Sequence, residues 1–380
     1  MVNSNADALG IIFPNSYDSL VPELVTERLM ASIPFAGRYR MVDFLLSSMV
    51  NCGIGNISIV VRSNYHSLMD HLGSGREWDL TRKNGGLNIF PPYSEKTVKI
   101  YNGRVEALAS ILDFLKDQKE KYVFMSDANI AVNFDFNAML KAHIESGADV
   151  SIAYKEMEIP ASVKKIHTIN TDLYYTFNIE DGRVKEIRIR PQDEGVQNFS
   201  MNIYLIEREL LIKLINDSFI RGYIYFERDI LANQLDELNV QAYNYDGYLA
   251  YIGDVKSYFD ENMKLLDDAN LDALFSGNPI YTKIRDDNPT RYISGAKASN
   301  VMVADGCVIE GEVENSILFR GVKVGKGAKV KNSILMQDTV VEAGADVEYI
   351  ISDKNVTITA EKAIKGTDTF PVYVAKNQTV

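Results

Sequence analysis

A chain of 380 residues with a net charge of −12, 46% hydrophobic and 24% charged, has the size for two domains and the make-up of an ordinary globular protein. Its acidity excludes a broad nucleic-acid-binding face, though not a locally held phosphate, and no apolar run approaches the roughly 18 residues of a membrane span. The start, MVNSNADALG, has neither the basic opening nor the apolar core of a signal peptide, and Cys52 and Cys307 stand far apart in no metal spacing, so a reducing cytoplasm without membrane or nucleic-acid partners is expected.

Along the first 250 or so residues, short apolar runs alternate with amphipathic segments. Residues 8–13 open the chain as a buried strand, and 41–50 form an apolar helix closed by Asn51, Cys52 and Gly53. A strand at 57–61 precedes a helix over 105–115, where Val105, Leu108, Ala109, Leu112 and Leu115 make one core-facing stripe. Further strands are expected at 122–125 and 150–154. Such alternation implies a largely parallel sheet covered on both faces.

The stretch 278–294, NPIYTKIRDDNPTRYIS, has little periodicity and reads as a linker between a domain at 1–277 and another at 295–380. The second domain repeats. Cys307, Val324 and Val341 are spaced 17 apart, as are Val313, Val330 and Val347, while Gly311, Ala328 and Ala345, and likewise Ile317, Ile334 and Ile351, keep the same phase. Within each repeat, apolar residues recur six apart, as at Val324 and Val330. That is the hexapeptide pattern of a parallel β-helix with about three strands per coil, each coil burying its apolar residues on the next.

Several motifs carry a resemblance. SIPFAGRYRMVDFLL at 32–46 is similar to V-P-F-G-G-x-Y-R-I-I-D-F-x-L of the ADP-glucose pyrophosphorylase (glucose-1-phosphate adenylyltransferase) family. Residues 73–80 with Pro91, Pro92 and Tyr93 resemble its G-x-G…W-D-L and L-P-P-Y segments. SMNIY at 200–204 resembles S-M-G-I-Y, and Glu261, Asn262 and Met263 resemble part of E-A-N-M-D-L-L. The likeness covers roughly residues 8–356. It implies an α/β fold, a Rossmann-like nucleotidyltransferase domain with a mostly parallel mixed sheet, followed by a left-handed parallel β-helix. It also implies the reaction of ATP with glucose 1-phosphate to ADP-glucose and pyrophosphate, in glycogen biosynthesis.

The departures from that pattern concern chemistry. Transfer at the α-phosphate requires charge neutralisation over three phosphates, for which the family uses A-G-G-x-G-x-R-L. The matching stretch here is FPNSYDSL at 13–20. Pro14 has no N–H to donate, Asn15 and Tyr17 replace small residues, Asp18 adds like charge, and Ser19 stands where the arginine belongs. The family's K-P pair falls on Met30 and Ala31, and its adenine-reading glutamine on Arg62. By the same resemblance the two Mg²⁺ aspartates fall on Asn129 and Tyr251. An amide brings no negative charge and a tyrosine is a poor ligand. Asp127 and Asp254 lie nearby in sequence, but two or three residues of extended chain displace a side chain by roughly 6–10 Å. The sugar-phosphate clamp E-E-K-P reads Arg188, Ile189, Arg190, Pro191, where Ile189 offers no hydrogen bond and Arg190 is no geometric copy of lysine, and Asn202 replaces a glycine.

The resulting expectation is a regulatory, catalytically degenerate subunit that assembles with a catalytic ADP-glucose pyrophosphorylase chain, in a heterotetramer, with Mg²⁺ in the partner and no cofactor of its own. Two rivals stay open: an active sugar-phosphate nucleotidyltransferase with a rearranged site, and a non-catalytic sensor of a sugar phosphate or nucleotide. A homo-oligomer and a small phosphorylated effector remain open too. Arg38 and Arg40 form either a residual anion or effector site or, with Asp43, an ion pair that shapes the loop. His66 and His71, five apart, read as exposed or capping histidines rather than metal ligands. Gly73, Ser74 and Gly75 read as a flexible turn, and Lys164, Lys165 and the charges of 116–121 as solvated surface.

Overall fold

The computed structural model describes residues 7–82, 85–92, 101–164 and 174–380, with the backbone alone at 161 and 162. Tyr93 and Lys165 lie outside the described residues. Ala8–Phe13, buried at every position, runs parallel to Asn56–Val60 on one side and to Tyr122–Asp127 on the other. Gly86–Phe90 extends this parallel set at its edge. Beyond Tyr122–Asp127 the twelve-residue strand Val196–Glu207 reverses direction and pairs antiparallel with Val150–Glu158. Val240–Asn244, Arg183–Ile189 and Tyr175–Glu180 complete a nine-stranded sheet. The mixed sheet is therefore parallel over its first four strands, where the cleft lies, and mainly antiparallel beyond them.

Alternation within the first strand sends Ala8 and Ile12 to one core and Leu9, Ile11 and Phe13 to the other. Helices Met41–Asn51 and Phe136–Ser146 close the first core. Gly10 permits that approach, because a Cβ there would lie 2.6 Å from the Met49 sulfur. The second core is closed by Arg208–Ile220 and by the segment expected as one helix over 105–115. That segment is two helices, Arg104–Ser110 and Leu112–Asp117. Ile111 leaves helical backbone at φ −112°, ψ 16°, and is itself buried in the core the stripe faces.

The C-terminal repeats wind into a parallel β-helix with three stacks of short strands. Val313, Val330, Val347 and Ile364 stack in one, Ile317, Ile334 and Ile351 in the second, and Ile309, Val324, Val341 and Ile358 in the third. Cys307 is the exception to the expected phase. Val324 pairs with Ile309, fifteen residues back, whereas later coils repeat every seventeen. The turn from Ile309 to Glu312 is two residues shorter than the one from Val324 to Lys329, so Cys307 sits one inward position earlier, still fully buried, its thiol 3.1 Å from the Phe319 carbonyl. On one outer face the paired residues alternate in charge: Lys297, Glu312, Lys329 and Asp346 in one row, Glu314, Lys331, Glu348 and Lys365 in the next.

Arg291–Tyr292 already pairs with Val308–Ile309, so the β-helix begins inside the stretch read as a linker. Ahead of it the chain is tied to the Met41–Asn51 helix, where the Tyr281 amide donates to Ser47 Oγ at 2.8 Å and Asn51 Nδ2 to the Pro279 carbonyl at 2.9 Å. The two domains share a core in which Ile317, Ile334 and Ile351 join Phe35, Tyr258 and Phe259. Through it runs a buried ion pair, Arg28 Nη2 to Asp353 Oδ1 at 2.6 Å, with Tyr373 donating to the other carboxylate oxygen at 2.6 Å. Among the described residues no helix is long and apolar enough to cross a membrane.

Candidate functional site

Open α/β sheets bind ligands beyond the carboxyl ends of their parallel strands. Here the ends of Ala8–Phe13, Asn56–Val60 and Tyr122–Asp127 meet at a cleft walled by Phe13, Val60, Tyr101 and Tyr175, with Arg62 at its side. Its volume is about 90 Å³.

The loop after the first strand is closed on itself rather than open towards a ligand. Asn15 Oδ1 accepts from the Arg62 amide at 2.6 Å, and Asn15 Nδ2 donates to Asp18 at 2.8 Å and to the Ser63 carbonyl at 3.1 Å. Asp18 in turn accepts from the Met30 amide at 2.7 Å, and the Pro14 carbonyl from the Ala31 amide at 3.2 Å. Met30 is fully buried in the shared core, so the position where the resemblance implies a lysine supports packing. Ser19 is exposed at the loop's outer edge.

Tyr17 turns inward from a left-handed backbone, φ 69°, a conformation unusual for a bulky residue. Its phenol oxygen accepts from Asn202 Nδ2 at 2.5 Å, and its ring meets Tyr251 edge-on at 6.2 Å. Burial first, then Tyr251 and the Asp127 carboxylate, push the phenol well above its usual range, so it stays neutral. Tyr251 in turn packs edge-on against Phe199 at 4.9 Å. Asn202 also has φ 54° and lies at an irregularity of the Val196–Glu207 strand, where its Oδ1 accepts from Tyr204 and Ser200. Three departures separately visible in the sequence thus form one packed unit.

The two positions matched to metal ligands come together. Tyr251 pairs with Ile130, and the Ile252 amide donates to the Asn129 carbonyl at 2.9 Å. Asn129 is fully buried, donates to the Ile252 carbonyl at 3.3 Å, and leaves its Oδ1 with no partner among the described residues. One neutral oxygen beside a phenol does not fit a divalent cation, which takes several hard oxygens. Neither nearby carboxylate supplies them. Asp254 caps the helix Val255–Lys264, accepting from the Ser257 amide at 2.7 Å. Asp127 accepts from Ser16 Oγ at 2.7 Å and from Arg104 Nη2 at 2.8 Å. Among the described residues no group of three or more His, Cys, Asp or Glu side chains is placed to hold a metal ion.

Arg104 and Glu227 were not singled out by the sequence. Arg104 opens the Arg104–Ser110 helix and pairs with Glu227, which sits in the π-helical turn Phe226–Leu231. An arginine at a helix start and a glutamate before Arg228 carry no local signal, since their pairing spans more than a hundred residues.

On the sugar side, Ile189 is exposed and Arg190 takes φ 49°, its amide donating to the Tyr174 carbonyl at 3.1 Å. Neither lines the cleft beside the first strand.

Arg38 and Arg40 line a second cleft, of about 420 Å³, between the domains. Lys283, Arg285, Arg320 and Lys354 line it too, against the carboxylate of Asp70. Asp43 does not make the ion pair with these arginines that one reading expected. It is fully buried, accepts from the Arg40 amide at 2.9 Å, and lies 2.6 Å from His71 Nε2. His71 is therefore a buried partner of Asp43 rather than an exposed or capping residue, whereas His66 is exposed. The Arg40 guanidinium donates instead to Ser67, at 2.6 Å to its carbonyl. Burial lowers Arg40 to about 10. Burial, then Arg40 and Arg28, lowers Lys354 to about 7. Like charges crowd this cleft.

A mixed α/β sheet with its cleft at the ends of its parallel strands, joined through a shared core to a hexapeptide-type β-helix, is the build of a nucleotidyltransferase with a β-helix domain. Comparison agrees: residues 24–268 match the family described as nucleotidyl transferase, and 284–370 the GlmU-like C-terminal hexapeptide family. The chain is 37% identical to the glycogen biosynthesis protein GlgD of Bacillus subtilis over 98% of this chain and 96% of that one. It is 38% identical to GlgD of Geobacillus stearothermophilus, over 86% and 83%. Glucose-1-phosphate adenylyltransferase of Geobacillus stearothermophilus is 32% identical, over 85% of this chain and 83% of its own length. The chain belongs to the glucose-1-phosphate adenylyltransferase family.

Proposed function

We propose that this chain serves glycogen biosynthesis as a regulatory subunit of ADP-glucose pyrophosphorylase, assembling with a catalytic paralogue and performing no adenylyl transfer itself. The observation that carries this reading is the packed unit of Tyr17, Asn202 and Tyr251, which fills the phosphate and metal positions matched in the sequence. With Asp127 and Asp254 both committed to internal bonds, Mg²⁺ belongs to the partner's site. The relatives named for glycogen biosynthesis support the pathway, and the domain-spanning core supports a scaffold kept intact for assembly.

Assay of the isolated chain with ATP, glucose 1-phosphate and Mg²⁺ is expected to release no pyrophosphate. A turnover within tenfold of an ordinary enzyme's, about 10 s⁻¹, sinks the reading. Co-expression with a catalytic glucose-1-phosphate adenylyltransferase chain is expected to yield a hetero-oligomer. A chain that remains by itself, yet binds a nucleotide or sugar phosphate, favours the sensor reading instead.

A second element of the proposal concerns the interdomain cleft. Arg38, Arg40 and Lys354 have no carboxylate within ion-pair distance among the described residues, while Lys283, Arg285 and Arg320, which face the same space, share only Asp70 and Asp287. This excess of positive charge supports a small phosphorylated effector bound there.

A further inference from the structure

The cleft beside the first strand contains a charge arrangement that its failure to fit a metal leaves unexplained. The Arg104 side chain is 9% exposed and lies between Asp127, 2% exposed, and Glu227, 6% exposed. Its guanidinium carbon stands 5.1 Å from the Phe13 ring centre and 4.9 Å from that of Tyr204. Asp127 spends its other oxygen on Ser16.

We propose that Arg104 is the resident cation of this cleft, its guanidinium filling the place between Asp127 and Glu227 that a divalent ion would otherwise take. Two buried carboxylates, Asp127 at the end of a parallel strand and Glu227 in the facing π-helical turn, require a counter-charge. Arg104 supplies it from within the chain. A planar guanidinium suits the position: it bridges both carboxylates while its faces rest against Phe13 and Tyr204, a fit that neither an ammonium nor a hydrated ion reproduces. Burial opposes its charge, yet Asp127, Tyr204 and Tyr17 raise its pKa, so the cation persists at any ordinary pH. The cleft is thereby neutralised without metal, and ATP loses the cation that would bring its phosphates there. This goes beyond the loss of the matched metal positions, because Asp127 and Glu227 are neither of them. It holds whether or not the chain assembles with a partner.

Electron paramagnetic resonance of free Mn²⁺, titrated with the full chain, tests the assignment. The wild-type chain is expected to leave the free-ion signal intact. Arg104→Gln, which exposes the two carboxylates to each other, is expected to deplete it, binding Mn²⁺ tighter than wild type by about tenfold or more, as removal of a unit charge at this range dictates. Adding Asp127→Asn is expected to return the signal to the wild-type level. An Arg104→Gln chain that folds only when Mn²⁺ is supplied supports the proposal equally. Three outcomes overturn it: wild-type binding of Mn²⁺ that Asp127→Asn abolishes, a folded Arg104→Gln chain no better than wild type, or an Arg104→Gln chain that stays unfolded with Mn²⁺. None of these readouts depends on pyrophosphate release or hetero-oligomer formation, so the regulatory-subunit reading stands or falls apart from them.

Discussion

Asn202 donates its side-chain amide to the phenol oxygen of Tyr17 at 2.5 Å, and both residues hold left-handed backbones, at φ 54° and 69°. The contact joins the loop after the first strand to the antiparallel half of the sheet. It holds Tyr17 from two sides, since the ring that meets Asn202 also meets Tyr251.

Removing that oxygen is therefore costly. Tyr17→Phe keeps the ring but leaves a buried amide hydrogen without its acceptor, at a cost of about 1–3 kcal/mol. Urea unfolding is expected to show a lower midpoint with unchanged slope. An unchanged midpoint would mean that the bond contributes nothing.

The domain contact depends on the ion pair between Arg28 and Asp353, whose side chains are each 3% exposed. Arg28→Met leaves Asp353 with only Tyr373 and the Lys354 amide, an uncompensated buried charge worth about 3–5 kcal/mol. Equilibrium denaturation measures that loss. Asp353→Asn, which leaves the guanidinium stranded instead, is expected to cost a similar amount, and a silent result from both variants refutes the strut.

Lys354 makes the interdomain cleft sensitive to pH. Held at about 7 by burial and by Arg40 and Arg28, it is charged only below that value. Between about 7 and the ordinary lysine range the unfolded chain binds the extra proton, so this group's share of stability rises with pH. An anion has the opposite preference and favours the charged form. Sulfate, whose own charge is constant across this range, is expected to bind more tightly as pH falls from 8.5 to 6. The single tryptophan, Trp78, is a built-in reporter, being buried with its ring 5.7 Å from that of His71 in the cleft wall. In Lys354→Met the slope is expected to flatten; a slope that persists assigns the titration elsewhere.

Gly311 marks the tightest approach to the backbone of a neighbouring coil. A Cβ there would lie 2.4 Å from the Ala328 carbonyl oxygen and 2.7 Å from that of Gly325. Gly311→Ala is expected to destabilise the chain by about 1–3 kcal/mol through overpacking, although the in-phase positions Ala328 and Ala345 already carry a methyl group. Thermal unfolding distinguishes this from a tolerated change.

Local pattern made much of the architecture legible. The first strand emerged with its expected bounds, 8–13, because a short apolar run buried on both faces leaves little choice. The stacks of valine and isoleucine likewise announce their own register. What escaped depends on distant partners. The short turn after Ile309, which shifts Cys307 out of phase, shows only when coils are paired. The break at Ile111 has no glycine or proline to mark it. In the cleft, a comparison by type picked out Tyr17, Asn202 and Tyr251 individually, but not their packing on one another. Arg104 and Glu227 stayed hidden because nothing near either residue foretells a buried guanidinium.

The alternating rows on the outer face of the β-helix act as a length gauge. Excise the coil that carries Lys329 and Lys331, and Glu312 comes to face Asp346 while Glu314 comes to face Glu348, like against like in both rows. Excise two, and opposite signs meet again. Evolution of this solenoid by whole-coil gain or loss is thus biased towards even steps, a parity rule written in surface charge rather than in the core.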